Sequence, residues 1–70
     1  MFKVRSYGRT ELAQMYCPDI AAESAWKKFR RWLQLSPGLM PRLRQMGYTG
    51  RERSFTPSMV AAIVEAIGEP

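Results

Sequence analysis

The sequence predicts a mainly α-helical domain, with four helices and a minor pairing of two β-strands. Two observations favour this class. Apolar residues recur at helical spacing in several segments, and residues that start or stop helices bound each of these segments. The chain has 70 residues, which is enough for one domain only. We therefore treat residues 1–70 as a single small helical domain.

The first residues of the chain predict a strand. Apolar and polar residues alternate over residues 2–6, which is typical of a short strand whose Phe2 and Val4 face the interior. A strand needs a partner, and the sequence indicates a second short strand at the end of a basic loop, residues 48–55.

Residues 9–16 are expected to form the first helix. Gly8 stands at its N-cap, and Glu11 at the third helical position is placed to complete a capping box. The helix is expected to end before Pro18, because the residue that precedes a proline is displaced from helical backbone angles.

The second helix, predicted over residues 21–35, has an apolar side and a basic side. At about 100° per residue, the side chains of Trp26, Phe29 and Leu33 fall close together, and we expect this side to lie in the core. The other side remains for solvent or for a negatively charged partner. It carries Lys27, Lys28, Arg30 and Arg31.

Two further helices are predicted after the central one. Residues 38–46 are expected to form a short helix whose first turn is irregular around Pro41, and Gly47 is expected to end it in a left-handed conformation. Residues 57–67 form the predicted last helix, which Thr56 caps. This helix is almost uncharged, so we expect it either to occupy the centre of the core or to form a homodimer contact.

Charge is distributed unevenly along the chain. Eleven Lys and Arg residues oppose six Asp and Glu residues, which gives a net charge of +5. All of these cations lie in residues 1–53, whereas the charged residues after them are Glu65 and Glu69. This balance favours a negatively charged partner, such as nucleic acid, an anionic membrane surface or an acidic protein.

The sequence offers few groups for catalysis or metal binding. It contains no histidine, and its one cysteine, Cys17, has no partner for a disulfide within the chain. It shows no glycine-rich phosphate loop and no nucleophile elbow. We expect a protein that is not an enzyme and that uses no cofactor, metal or small-molecule substrate. With no secretory signal or transmembrane segment in the sequence, we expect a cytoplasmic protein that does not act at a membrane.

Several motifs together resemble a family of short bacterial proteins that is described as a domain of unknown function. The resemblance extends over nearly the whole chain and implies no particular activity. The motifs, in chain order, are Glu11-Leu12-Ala13, Tyr16 with Pro18-Asp19, Arg30-Arg31-Trp32, Gly47-Tyr48, Phe55-Thr56-Pro57 and Gly68-Glu69-Pro70.

Residues 7–33 also resemble the helix-turn-helix of MerR and phage-excisionase proteins. The similarity rests on Glu11-Leu12-Ala13 in the first helix and on the longer helix that contains Arg30-Arg31-Trp32. The segment between these motifs is several residues longer than in a tight helix-turn-helix. The resemblance implies a helix-turn-helix-like, winged-helix-like domain in which residues 2–6 pair with residues 53–55.

The same resemblance implies DNA binding by a transcriptional regulator or an excisionase-like accessory factor. The helix over residues 21–35 would enter the major groove, and the basic loop would act as a wing on the flanking backbone. Neutralising about four to six phosphates would give a log-log salt slope of about −4 to −5. The candidate nucleic-acid-binding residues are Lys27, Lys28, Arg30, Arg31, Gln34, Arg51 and Arg53.

Three alternatives to DNA binding stay open from the sequence. In the first, the cations of the central helix are only a solvated face. In the second, the protein is a non-enzymatic protein–protein interaction module with no nucleic-acid role, and the last helix or Trp32 contacts the partner. In the third, the central helix lies on a membrane surface, although its tryptophans are expected in the core.

Overall fold

The structure is a computed structural model that describes residues 2–70. It confirms the predicted class, with four helices and an antiparallel pair of short strands. The first and last helices have the predicted bounds, and the second begins one residue later than predicted. No helix within residues 2–70 is long and apolar enough to cross a membrane. The elements are β1 (Tyr7–Gly8), α1 (Arg9–Tyr16), α2 (Ala22–Leu35), α3 (Leu39–Gln45), β2 (Ser54–Phe55) and α4 (Pro57–Ile67).

The first strand does not lie where the sequence predicts it. Tyr7 pairs with Phe55, so β1 follows residues 2–6 instead of lying within them. The inward orientation predicted for Val4 is also wrong, because this residue is 49% exposed. The position of the partner strand agrees with the predicted end of the basic loop.

Residues 2–6 form an arm that folds onto β1. The ring of Phe2 stacks on the ring of Tyr7, with centroids 5.3 Å apart. The hydroxyl of Tyr7 donates a hydrogen bond to the carbonyl of Lys3 at 2.6 Å. An arm that turns back toward Tyr7 in this way does not extend the β1–β2 ladder. The alternation of apolar and polar residues over residues 2–6 therefore does not correspond to a strand.

Glu11 fixes the start of α1. Its carboxylate accepts a hydrogen bond from the N–H of Gly8 at 3.0 Å and forms an ion pair with Arg5 at 3.4 Å. The Gly8 hydrogen bond, followed by the Arg5 contacts, holds the pKa of Glu11 below its ordinary value. Because Gly8 has no side chain to return the bond, only the glutamate half of a capping box is present.

The third helix is shorter than predicted and is regular around Pro41. This proline occupies the third helical position of α3, where backbone N–H groups have no partner within the helix. It therefore removes no intrahelical hydrogen bond. Gly38 precedes the helix with a φ of 75°, a conformation that favours glycine.

The end of α3 is a Schellman motif, which brings the chain back to the core. Gly47 has a φ of 97°, which confirms its predicted left-handed conformation. Its N–H donates to the carbonyl of Arg44, and the N–H of Tyr48 donates to the carbonyl of Leu43, both at 3.0 Å. This turn buries Tyr48 beside the core.

Helix α4 packs one side into the core, where four of its eleven side chains are buried. Thr56 caps it as predicted, since its hydroxyl oxygen accepts a hydrogen bond from the N–H of Met59 at 3.3 Å. The apolar side of the helix is buried, including Val60 and Ile63. Ala62 is also buried, although the helical pattern places it on the outer side. The homodimer through this helix stays a prediction.

Aromatic rings connect the elements of the core. Phe29 of α2 and Phe55 of β2 contact edge to face, with centroids 6.2 Å apart. Tyr16 stacks on Phe29 at 5.1 Å, and Tyr48 stacks on Phe55 at 5.6 Å. Trp26 lies against both phenylalanines. The two phenylalanines therefore join α1, α2, the end of α3 and β2.

The hydroxyl of Tyr16 ties the end of α1 to the end of α4, because it donates a hydrogen bond to the carbonyl of Gly68. Burial, followed by the negative charge of Glu69, raises the pKa of Tyr16 to about 12. The phenol therefore stays protonated well above neutral pH, and its hydrogen bond to Gly68 is kept there.

Replacing Phe29 by alanine is expected to destabilise the domain by about 3–5 kcal/mol, because the ring is fully buried and leaves a cavity. Such a loss is comparable to the whole stability of a domain of this size, about 4–10 kcal/mol. Urea denaturation followed by circular dichroism measures the change. Leu35→Ala is the control, since this side chain is 69% exposed on the same helix. Equal stability of the two variants would contradict the central role of Phe29.

Candidate nucleic-acid interface

The buried side of α2 determines which of its residues reach solvent. Ala25, Phe29 and Leu33 are buried, and at about 100° per residue they direct the basic side of the helix outward. Both predicted features of this helix are therefore present. The predicted site residues are all exposed, namely Lys27, Lys28, Arg30, Arg31, Gln34, Arg51 and Arg53.

A shallow groove lies between α2, α3 and the segment that follows α3. Arg30 and Gln34 line it from α2, and Tyr48 lines it from the segment after α3. Arg44 of α3 lines the same groove and is absent from the predicted site. The sequence contains no signal for this placement, because it depends on how α3 crosses α2.

Lys28 lies apart from this groove. Its ammonium nitrogen is 5.5 Å from the centroid of the Trp32 ring. Both residues border a second groove, beside the turn between α1 and α2. The structure therefore divides the predicted site residues between two edges of α2, with Arg30 and Gln34 on the α3 side and Lys28 on the α1 side.

Glu52 organises the basic loop from within. Its carboxylate accepts hydrogen bonds at 3.0 Å from the N–H groups of Thr49 and Gly50 and from the Thr49 hydroxyl. Burial acts to raise the pKa of Glu52, but backbone hydrogen bonds from Glu52 itself, Thr49 and Gly50 outweigh it and hold this pKa below its ordinary value. At neutral pH the carboxylate is charged, and its oxygens are engaged within the loop.

Arg9 is a second cation that is absent from the predicted site. Its N–H donates to the carbonyl of Arg53 at 2.8 Å, which joins the loop to the start of α1. Its guanidinium lies 5.2 Å from the centroid of the Trp26 ring of α2, within cation–π range. In the sequence, Arg9 is simply the first residue of a helix.

The cations around α2 form no ion pair within the described chain. The ion pairs among residues 2–70 are those of Arg5 with Glu11 at 3.4 Å and of Arg42 with Glu65 at 3.1 Å. We use the term basic surface for the unpaired cations on the outer side of α2 and on the adjoining elements. These residues are Arg9, Lys27, Arg30, Arg31, Arg44, Arg51 and Arg53.

Neither groove has the size of a typical small-molecule site. Their volumes are about 150 and 180 Å³, whereas such sites measure roughly 300–1,000 Å³. The basic surface extends over several elements, and its residues other than the half-buried Arg9 are exposed. This shape suits a ligand that carries negative charge along its length.

The chain belongs to the family described as Domain of unknown function (DUF4248), whose family model matches residues 3–70. This result confirms the resemblance expected from the motifs that run from Glu11 to Pro70. No curated protein and no solved structure matches the chain.

Acid is expected to release the basic loop. Hydrogen bonds favour the charged form of Glu52. The stability that Glu52 gives to the loop is therefore present at neutral pH, and it is lost as the pH falls through the lowered pKa of this carboxylate. The NMR amide signals of Thr49 and Gly50 should move together, with a midpoint below the ordinary pKa of a glutamate. Glu52→Gln should abolish this transition and leave that of Gly8, which reports Glu11. Persistence of the loop transition in the variant would contradict this assignment.

Proposed function

We propose that the protein binds double-stranded DNA through the basic surface, with α2 in the major groove. The observation that carries the proposal is that the cations of this surface have no carboxylate partner within residues 2–70. Like charges that are held close together repel one another, and an anionic ligand removes this repulsion. The DNA backbone supplies closely spaced negative charges for this purpose.

The dimensions of α2 support this proposal. The helix has 14 residues, so at 1.5 Å per residue it is about 21 Å long. The major groove of B-DNA is about 12 Å wide and admits an α-helix. Lys27 and Arg31 on the outer side of α2 would chiefly contact phosphates, whereas Gln34 has the amide group that pairs with adenine.

The resemblance to MerR and excisionase proteins supports the same function. In this interpretation, α1 and α2 are the two helices of a helix-turn-helix, joined through residues 17–21. The paired strands β1 and β2 and the basic loop form a small wing, and Arg51 and Arg53 contact the flanking backbone. We therefore propose a bacterial transcriptional regulator or an excisionase-like accessory factor.

The proposal is tested by comparing two double variants that each lose two positive charges. Lys27→Gln with Arg31→Gln removes unpaired cations of the basic surface. Arg5→Gln with Arg42→Gln removes cations that already have carboxylate partners. Affinity for a mixed-sequence duplex is measured by fluorescence anisotropy between about 50 and 200 mM salt.

We expect a log-log salt slope of about −4 to −5 for the unaltered protein. The first double variant should reduce the magnitude of the slope by about two, and the second by less than one. Circular dichroism shows whether each variant is folded. Absence of duplex binding by the unaltered protein, or equal losses in the two folded variants, would refute the proposal and favour the protein-interaction alternative.

A further inference from the structure

Two arginines line the groove between α2 and α3. Arg30 reaches it from α2 and Arg44 from α3. Neither forms an ion pair with a carboxylate within residues 2–70. A guanidinium binds phosphate through two parallel N–H donors, which gives the contact both strength and direction. Two such groups on different helices can approach one phosphate from two sides.

Tyr48 adds a positioned hydroxyl to the same groove. The residue is 5% exposed and its ring stacks on Phe55, so the phenol has a fixed orientation. Its hydroxyl makes no hydrogen bond to another described residue. The hydroxyl oxygen is also absent from the buried polar atoms that lack a partner, so it is not sealed from solvent. The hydroxyl is therefore open to solvent and free to donate a hydrogen bond to a ligand.

Glu52 is the carboxylate that stands beside this groove, and it does not occupy it. Its oxygens accept hydrogen bonds from Thr49 and Gly50, two residues of the groove wall. Burial and the charge of Glu52 raise the pKa of Tyr48, while the charges of Arg30 and Arg9 oppose this rise. The oxygens of Glu52 are thus engaged within the loop, whereas Arg30 and Arg44 keep N–H donors for a ligand.

We infer that Arg30, Arg44 and the Tyr48 hydroxyl clamp one phosphate group. This inference rests on the proposed function, in which the phosphate is a phosphodiester of the DNA backbone beside the groove that α2 enters. Contacts with phosphate position a protein on the duplex and do not read its sequence. The clamp therefore gives α3 a role, which is to fix the depth and register of α2 in the major groove.

Arg42 provides a matched control for Arg44. Both are exposed residues of α3, but Arg42 is paired with Glu65 of α4 and does not line the groove. Arg44→Gln and Arg42→Gln each remove one positive charge. Arg44→Gln should weaken binding of a mixed-sequence duplex about tenfold and reduce the magnitude of the salt slope by about one. Arg42→Gln should change the affinity less than about twofold.

Inorganic phosphate tests the groove without DNA. The side-chain Hε signals of Arg30 and Arg44 are followed by NMR during titration with phosphate and with sodium chloride at matched ionic strength. Phosphate should shift both signals beyond the effect of chloride. Arg44→Gln should abolish the phosphate-specific shift at Arg30, and Tyr48→Phe, which keeps the buried ring, should reduce it.

The outcomes separate this inference from the proposed function. Phosphate-specific shifts together with a larger loss of DNA affinity in Arg44→Gln than in Arg42→Gln would support the clamp. Equal losses in the two variants, or shifts no larger than those with chloride, would overturn it. DNA binding that still depends on Lys27 and Arg31 would then leave the proposed function intact. Phosphate-specific shifts in a protein that binds no duplex would refute DNA binding and keep the groove as a phosphate site.

Discussion

The edge-to-face contact between Phe29 and Phe55 is the interaction on which the rest of the structure depends. It joins the middle of α2 to the strand that precedes α4. Tyr16 and Tyr48 stack on its two sides, so the ends of α1 and α3 meet at the same rings. A domain of this length buries little surface, and aromatic side chains bury the most apolar area per residue.

The same contact determines where the positive charge of α2 is displayed. Because Phe29 must point to Phe55, the helix cannot rotate about its axis, and Lys27 and Arg31 are held toward solvent. Two carboxylates of the adjoining elements are engaged elsewhere. Glu11 caps α1, and Glu52 closes the basic loop. Packing and local capping therefore leave an unneutralised basic surface.

Local chemistry explains which parts of the fold are predictable from the sequence. Glu11, Gly47 and Thr56 act on backbone groups within a few residues, so their effects are visible in the sequence and their helices have nearly the predicted bounds. Residues 2–6 show the limit of such patterns. Their alternation identifies apolar side chains but not the path of the backbone, and the contact between Phe2 and Tyr7 turns this segment into an arm.

The sequence by itself determined the four helices, the N-caps of α1 and α4, the end of α3 and the basic side of α2, because each depends on neighbours along the chain. Only the tertiary structure decided which cations share a surface. It brought Arg44 to the groove that Arg30 lines. It also brought Arg9 to Trp26. The physical reason is that the crossing of helices depends on side-chain packing between distant residues, which no local pattern records.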